Sequence, residues 1–142
     1  MTETVRGHLL DLSRAYRERC PVWLVRATGA IGAARLSTAL DYIATHFSDP
    51  GLTAAVVAHS QNVSSRYLNR LFEGAGIRFN HYLQEQRLSE AHRLLNDAGS
   101  AGMAISEIAF GCGFSDVSHF NRLFRQRFGD SPSGVRARPA TG

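Results

Sequence analysis

ISEIAFGCGFSDVSHFNRLFRQRFG, residues 105–129, holds two apolar-periodic runs on either side of a glycine. Ile105, Ile108 and Ala109 fall at i, i+3 and i+4, one face of a short helix. Gly113 supplies the left-handed backbone that a sharp turn needs. Ser115 stands where an N-cap belongs, just before the second run. Phe120, Leu123, Phe124 and Phe128 then recur at steps of 3, 4 and 4 and face inward together. The opposite face carries Ser118, His119, Arg122, Arg125 and Gln126. Cys112, in the turn, reads as a small packed residue.

A short helix, a glycine turn and a polar second helix have the pattern of a helix-turn-helix, whose second helix enters the DNA major groove. The bland alternative is a helical hairpin in an ordinary bundle. A second copy of the pattern lies upstream. Ala58, Asn62-Val63-Ser64 and Asn69-Arg70-Leu71-Phe72 match Ala109, Gly113-Phe114-Ser115 and Asn121-Arg122-Leu123-Phe124. The offset is 51 before the turn and 52 after it, which places one extra residue near the start of the later copy's second helix. Repetition of a motif is worth more than either copy alone. Between the copies, residues 79–96 (FNHYLQEQRLSEAHRLLN) read as one helix of about 27 Å, at 1.5 Å per residue. Two recognition helices on such a spacer suit successive major grooves, whose centres lie about 34 Å apart. One monomer would then read a bipartite site without two-fold symmetry.

The rest of the chain sets bounds. Its 142 residues suffice for one domain with a real core, or a domain plus an appendage. All 16 basic residues are Arg, and the net charge is +4. From Val117 onward five Arg (122, 125, 127, 136, 138) face one acid, Asp130, so this end carries an excess of +4 by itself. A basic end suits a polyanion. Cys20 and Cys112 have no metal-ligand or disulfide-framework spacing, which fits a reducing, cytoplasmic setting. No apolar run is long enough to span a membrane. The six His (8, 46, 59, 81, 92, 119) form no HExxH, and no GxSxG, P-loop or Rossmann fingerprint occurs, so neither an enzyme, a cofactor nor a metal is expected.

Along the chain, Leu9, Leu10, Leu12, Ala15 and Tyr16 outline a helix that Cys20-Pro21 should end or interrupt, and Ala27–Ala34 reads as a linker or a loosely packed connection. Leu36, Leu40, Ile43, Ala44 and Phe47 mark one face of a helix stopped by Asp49-Pro50-Gly51. Thr53 caps a short helix carrying Val57 and Ala58; Asn62 turns the chain; Ser64 caps a helix with Leu68, Leu71 and Phe72 inside. On the long helix Tyr82, Leu83, Gln86, Arg87, Ala91, Leu94 and Leu95 form the packed side. Ser131-Pro132 starts a last short turn.

These residues resemble the C-terminal DNA-binding domain of the AraC/XylS transcription regulators. The match runs over Arg87-Leu88, Ala91, Leu94-Leu95, Ile105, Ile108-Ala109, Gly113-Phe114, Phe120, Phe124, Phe128-Gly129 and Ser131-Pro132, within roughly residues 35–136. The resemblance implies an all-α fold: two helix-turn-helix subdomains joined by a long linker helix, seven helices in all. It also implies control of transcription initiation, most often activation through contact with RNA polymerase. Residues 35–138 are the expected DNA-binding domain and 139–142 a frayed tail. Residues 1–34 are too short for the family's usual sensing domain; they read as an N-terminal helical appendage, either a route to a homodimer or a remnant of a sensor. Three positions depart from the pattern: Asn62 stands where Gly is frequent, Arg78-Phe79 replaces Ser/Thr-Pro, and Ala104 replaces a Ser/Thr cap. A lost cap costs about 1 kcal/mol.

The residues expected to contact DNA bases are Arg66, Asn69 and Arg70 in the first motif and Ser118, His119 and Arg122 in the second. Periodicity sets them opposite the apolar face, and they match the family's base-facing positions. Arg suits guanine O6/N7 and Asn suits adenine N6/N7. Arg70 and Arg122 have the alternative of a phosphate, and Asn69 the alternative of serving the fold. Expected phosphate contacts are Ser64, Ser65, Ser115, Asn121, Arg125 and Arg136, with simple capping the alternative for the serines. The partners are double-stranded DNA and RNA polymerase. Two other classes stay open: an interaction module docking on the polymerase or a partner regulator, and an architectural binder that grips phosphate without reading bases.

Overall fold

The computed structural model describes the backbone of residues 22–138, with side chains from residue 29 on. The expected helix around Leu9–Tyr16, the Cys20-Pro21 break and the 139–142 tail lie outside the described residues. Among the described residues the chain is all-α, in seven helices: α1 (Val22–His46), α2 (Ala54–Ser60), α3 (Ser65–Gly74), α4 (Phe79–Leu95), α5 (Ile105–Gly111), α6 (Val117–Phe128) and α7 (Pro132–Ala137). A 3₁₀ turn, Ala98–Ser100, comes after α4. No helix among them is long and apolar enough to cross a membrane.

The chain divides into two compact units. One holds residues up to His46 together with Gly51–Leu83; the other holds Phe47–Pro50 and everything from Gln84 on. In the first unit α1, α2 and α3 pack on one another. Leu36, Leu40 and Ile43 from α1, Val57 from α2, and Leu68 and Phe72 from α3 are buried. Phe79, at the start of α4, meets Phe72 edge-on with ring centroids 5.7 Å apart. Burying each such side chain contributes about 1.5–3 kcal/mol.

The linker reading of residues 27–34 is corrected here. The Ala27–Ala34 stretch is helical, with its break at Gly29 (φ 78°, ψ 166°) and Gly32 and Ala33 buried. Small residues and two glycines read as a loop from composition. Beyond Gly29, Ala is the strongest helix former, and small side chains let a helix face pack closely.

In the second unit a row of rings forms the centre. Phe114 and Phe120 lie 5.0 Å apart, Phe120 and Phe124 5.6 Å, and Phe124 and Phe128 4.6 Å. Leu88, Ala91 and Leu95 of α4, Ile108 and Ala109 of α5, and Val135 of α7 complete this core. The spacing of Phe120, Leu123, Phe124 and Phe128 thus packs as expected, with Leu123 and Phe128 at its margin.

The packed side of α4 differs from expectation. Tyr82, Leu83, Ala91 and Leu95 are buried as expected, and so are Leu88 and Glu85, while Gln86, Arg87 and Leu94 are only half-buried. Glu85 is 5% exposed because Arg127 of α6 reaches it: Arg127 Nε lies 2.8 Å from both carboxylate oxygens. The same guanidinium sits 4.9 Å from the centre of the Phe128 ring. A carboxylate so placed is tolerable only with its partner. Removing one side, Glu85→Ala, should cost about 3 kcal/mol in urea denaturation. Glu85→Leu combined with Arg127→Met should recover most of that loss, and a double variant as unstable as the single one would contradict the assignment.

Candidate nucleic-acid interface

Each motif starts from a short helix that ends in a left-handed residue. In the first, Thr53 Oγ1 accepts from Val56 N at 3.3 Å and starts α2. Asn62 then adopts φ 55°, as expected of the non-glycine residue most tolerant of that region. The α2 end is closed by Val63 N donating to Ala58 O at 3.1 Å. In the second, Ala104 gives α5 no side-chain cap, Gly113 adopts φ 101°, and Phe114 N donates to Ala109 O at 3.1 Å. Donor and acceptor are 51 residues further on in each case. Gln61 N to Ala58 O and Asn62 N to His59 O likewise recur as Cys112 N to Ala109 O and Gly113 N to Phe110 O.

The register changes inside the turn. Ser64 caps α3, its Oγ accepting from Tyr67 N at 3.0 Å. The cap of α6 is Asp116, not Ser115: Asp116 Oδ1 accepts from Ser118 N at 2.9 Å and His119 N at 3.4 Å. From Ser64 to Asp116 is 52 residues, so the extra residue of the second copy is Ser115 itself, in the turn rather than in the helix. Asp116 wins the position because a carboxylate accepts from two helix N–H groups and opposes the positive end of the helix dipole. Ser115 is exposed and leaves the cap to its neighbour.

With that register the two recognition helices superpose in sequence: Leu68, Leu71 and Phe72 with Phe120, Leu123 and Phe124 inside, and Arg66, Asn69 and Arg70 with Ser118, Asn121 and Arg122 outside. All six outer residues are exposed. Among the described residues no hydrogen bond or ion pair engages the side chains of Arg66, Arg70, Arg122 or Arg125. Each helix therefore offers a polar stripe at i, i+3 and i+4 with uncommitted donors. His119 stands apart. It corresponds to Tyr67, is half-buried, and meets Phe114 edge-on at 6.5 Å. Arg136 also differs from the exposed arginines: its Nε and Nη2 are shut off from solvent without an acceptor. Ser64 is exposed and Ser65 half-buried. Among the described residues no three of His, Cys, Asp and Glu gather into a metal-binding group.

The second turn is locked from outside. Arg87 of α4 donates from Nε to Phe47 O at 2.8 Å and from Nη2 to Asp49 O at 2.9 Å. Burial lowers the Arg87 pKa and nearby Asp49 opposes that shift. Gly113 lies under this pair. A Cβ there would sit 2.5 Å from Phe47 O and 2.7 Å from Arg87 Nε. Arg87 was expected on the packed side, but its partners are backbone carbonyls that no sequence pattern marks. Cys112, beside it, is fully buried. Burial pushes its thiol up to about 12, with the Glu90 carboxylate adding to the rise and Arg93 opposing it.

A helix-turn-helix pair of this kind is shared with known proteins. Residues 57–138 match the family described as a helix-turn-helix domain. The transcriptional activator RhrA of Rhizobium meliloti (strain 1021) is 40% identical over 80 residues, covering 56% of this chain and 25% of that protein. The HTH-type transcriptional activator RhaS of Escherichia coli O139:H28 is 36% identical over 105 residues, 73% of this chain and 36% of that one. This chain thus spans a quarter to about a third of these relatives. Among solved structures, the C-terminal domain of AraT, a response regulator from Geobacillus stearothermophilus, superposes with a TM-score of 0.67 at 33% identity, over 76% of this chain and 88% of that one. A probable AraC family transcriptional regulator from Rhodopseudomonas palustris CGA009 gives 0.65 at 30% identity, over 75% and 99%. The chain belongs to the AraC-type helix-turn-helix family of DNA-binding transcription regulators.

Two outcomes test this geometry. Gly113→Ala should cost about 3 kcal/mol, combining left-handed strain with the clash on Phe47 O, whereas Gly129→Ala (φ 79°, open space around it) should cost about 1 kcal/mol. Thermal melts of the two variants decide it, and equal losses would refute the clash. Cys112 should resist thiol reagents at pH 8 in a Cys20→Ser background and react once denatured. Because its folded pKa lies above the unfolded value, its share of stability should be intact below about pH 9 and vanish as pH rises toward 12.

Proposed function

We propose that this chain is the DNA-reading part of a transcription activator, with α3 and α6 as recognition helices that lie in successive major grooves. The observation that carries this reading is the duplicated turn: two copies of one hydrogen-bonded geometry, each leading into a helix with an exposed, uncommitted polar stripe. In the first motif Arg66, Asn69 and Arg70 read base edges. In the second Arg122 and Ser118 do so. His119, half-buried, reaches a base only from the margin of the stripe. Ser64, Ser65, Asn121 and Arg125 face phosphates, and Ser115, free of the capping role, joins them through the exposed turn; Arg136, whose Nε and Nη2 are shut off from solvent, has only Nη1 left to offer a phosphate.

Residues 35–138 form the DNA-binding domain in this reading, residues 1–34 an appendage, either a dimerisation element or the remnant of a sensor domain, and 139–142 a short tail; the site read by one copy is bipartite and asymmetric in either case. Activation is supported by the relatives RhrA and RhaS, both transcriptional activators, and it requires a contact with RNA polymerase. The chemistry is binding: the requirement is positioned donors.

Gel-shift titration of genomic fragments tests this. Binding should survive excess non-specific competitor at moderate salt, whereas a purely electrostatic binder loses it and shows a steep salt slope. Arg122→Ala should weaken the preferred site by about 1–3 kcal/mol and relax preference at one or two base pairs. A uniform loss on all sequences would make Arg122 a phosphate contact, and no shift on any fragment at low salt would leave a protein-docking module as the better reading.

A further inference from the structure

The two motifs are not electrostatic equals. In the common register, Arg125 of α6 corresponds to Glu73 of α3, and both are exposed. Beside Arg125, and only within the second unit, α6 and the start of α7 enclose a notch of about 370 Å³ lined by Asn121, Arg122, Arg125, Ser131, Pro132 and Ser133. Every polar side chain on that lining can donate. Arg122 and Arg125 have no partner among the described residues, and the Ser133 hydroxyl is exposed and equally uncommitted. Ser131 Oγ spends a lone pair on Gly134 N at 3.0 Å, which leaves its hydroxyl hydrogen to point elsewhere. No carboxylate lines the notch. The one acid from residue 117 onward, Asp130, is held by Arg138 Nη2 at 2.7 Å and by Ser131 N at 2.8 Å. Two unpaired guanidiniums facing hydroxyl donors in a cleft match a tetrahedral oxyanion, since an Arg fork and short hydroxyls reach different oxygens of one phosphate.

We propose that this notch seats a single phosphodiester group of the DNA backbone, with Arg125 and Ser133 as its main ligands and Arg122 at its rim. The inference rests on the DNA-reading function above and makes α7 part of the interface, adding Ser131 and Ser133 to the contact set. It gives the second motif a fixed point on the backbone that sets the depth and register of α6 in its groove. The first motif, with Glu73 in the corresponding place, has no such seat. Register set by phosphate and identity set by bases is the usual division at these interfaces.

The test uses the full chain and a duplex carrying its preferred site, with each phosphate replaced one at a time by an uncharged methylphosphonate. For the unsubstituted protein one position beside the groove bound by α6 should weaken binding about tenfold, the scale of a charge-assisted hydrogen bond. Arg125→Ala and Ser133→Ala should each bind the normal duplex more weakly and lose that sensitivity, while Arg66→Ala binds more weakly yet keeps it. Arg125→Ala should also flatten the slope of log K against log salt by about 0.9. Full sensitivity retained in Arg125→Ala and Ser133→Ala would overturn the seat. A flat methylphosphonate scan, with amide shifts at Ser131–Ser133 on adding inorganic phosphate, would assign the notch to a free anion and overturn it as well. Absence of any specific shift by the unsubstituted protein is a separate result: it removes the DNA-reading function, and the seat with it, before any phosphate is replaced.

Discussion

At Gly113 the Phe47 carbonyl and the Arg87 guanidinium close over the backbone so tightly that any side chain would overlap them. The turn has φ 101°, a region that L residues other than Asn and Asp seldom enter, so steric and conformational demands fall on one residue together. Arg87 spends two donors on the Phe47 and Asp49 carbonyls, which satisfies two backbone acceptors in the segment just past α1. The turn, the second half of α4 and the Phe47–Pro50 segment are thus held by one set of contacts. The turn in turn sets the direction of the Asp116 cap, of α6, and of the stripe of exposed donors that α6 carries.

Around that point the second unit is held by rings and one ion pair. Phe114, Phe120, Phe124 and Phe128 form a continuous row, and His92 of α4 lies 4.5 Å from the last ring. The Glu85–Arg127 pair ties α4 to α6 from the side. This use of Arg127 separates it from its neighbours in the basic segment. Arg127 is structural and Arg138 neutralises Asp130, while Arg122 and Arg125 remain open to a partner. A net charge of +4 says a polyanion is welcome; the pairing pattern says which guanidiniums are free to meet it.

Much of this was legible in the sequence, for reasons that can be named. Helical periodicity marked the buried rings, and Asn62 and Gly113 marked the turns because few residues accept positive φ. Duplication made the two motifs visible together. The misses share a cause: each depends on an atom distant in sequence or on a choice between similar groups. Glu85 reads as a surface acid until Arg127, 42 residues later, covers it. The carbonyls that Arg87 grips have no residue identity. Ser115 and Asp116 are both good caps, and only the hydrogen bonds to Ser118 N and His119 N decide between them. Once they do, the extra residue moves into the turn, His119 falls in line with half-buried Tyr67, and Arg125 falls in line with Glu73. The exposed stripe was legible in advance; its edges, where His119 turns inward and α7 adds hydroxyls, were not.

Two unlike motifs on one chain should each read their own stretch of DNA. Selection of bound fragments from a random-sequence pool, followed by sequencing, tests this most directly. Two enriched blocks are expected, with centres about 10 base pairs apart, different in sequence and without two-fold symmetry. A single block, a palindrome, or enrichment of no sequence at all would contradict it.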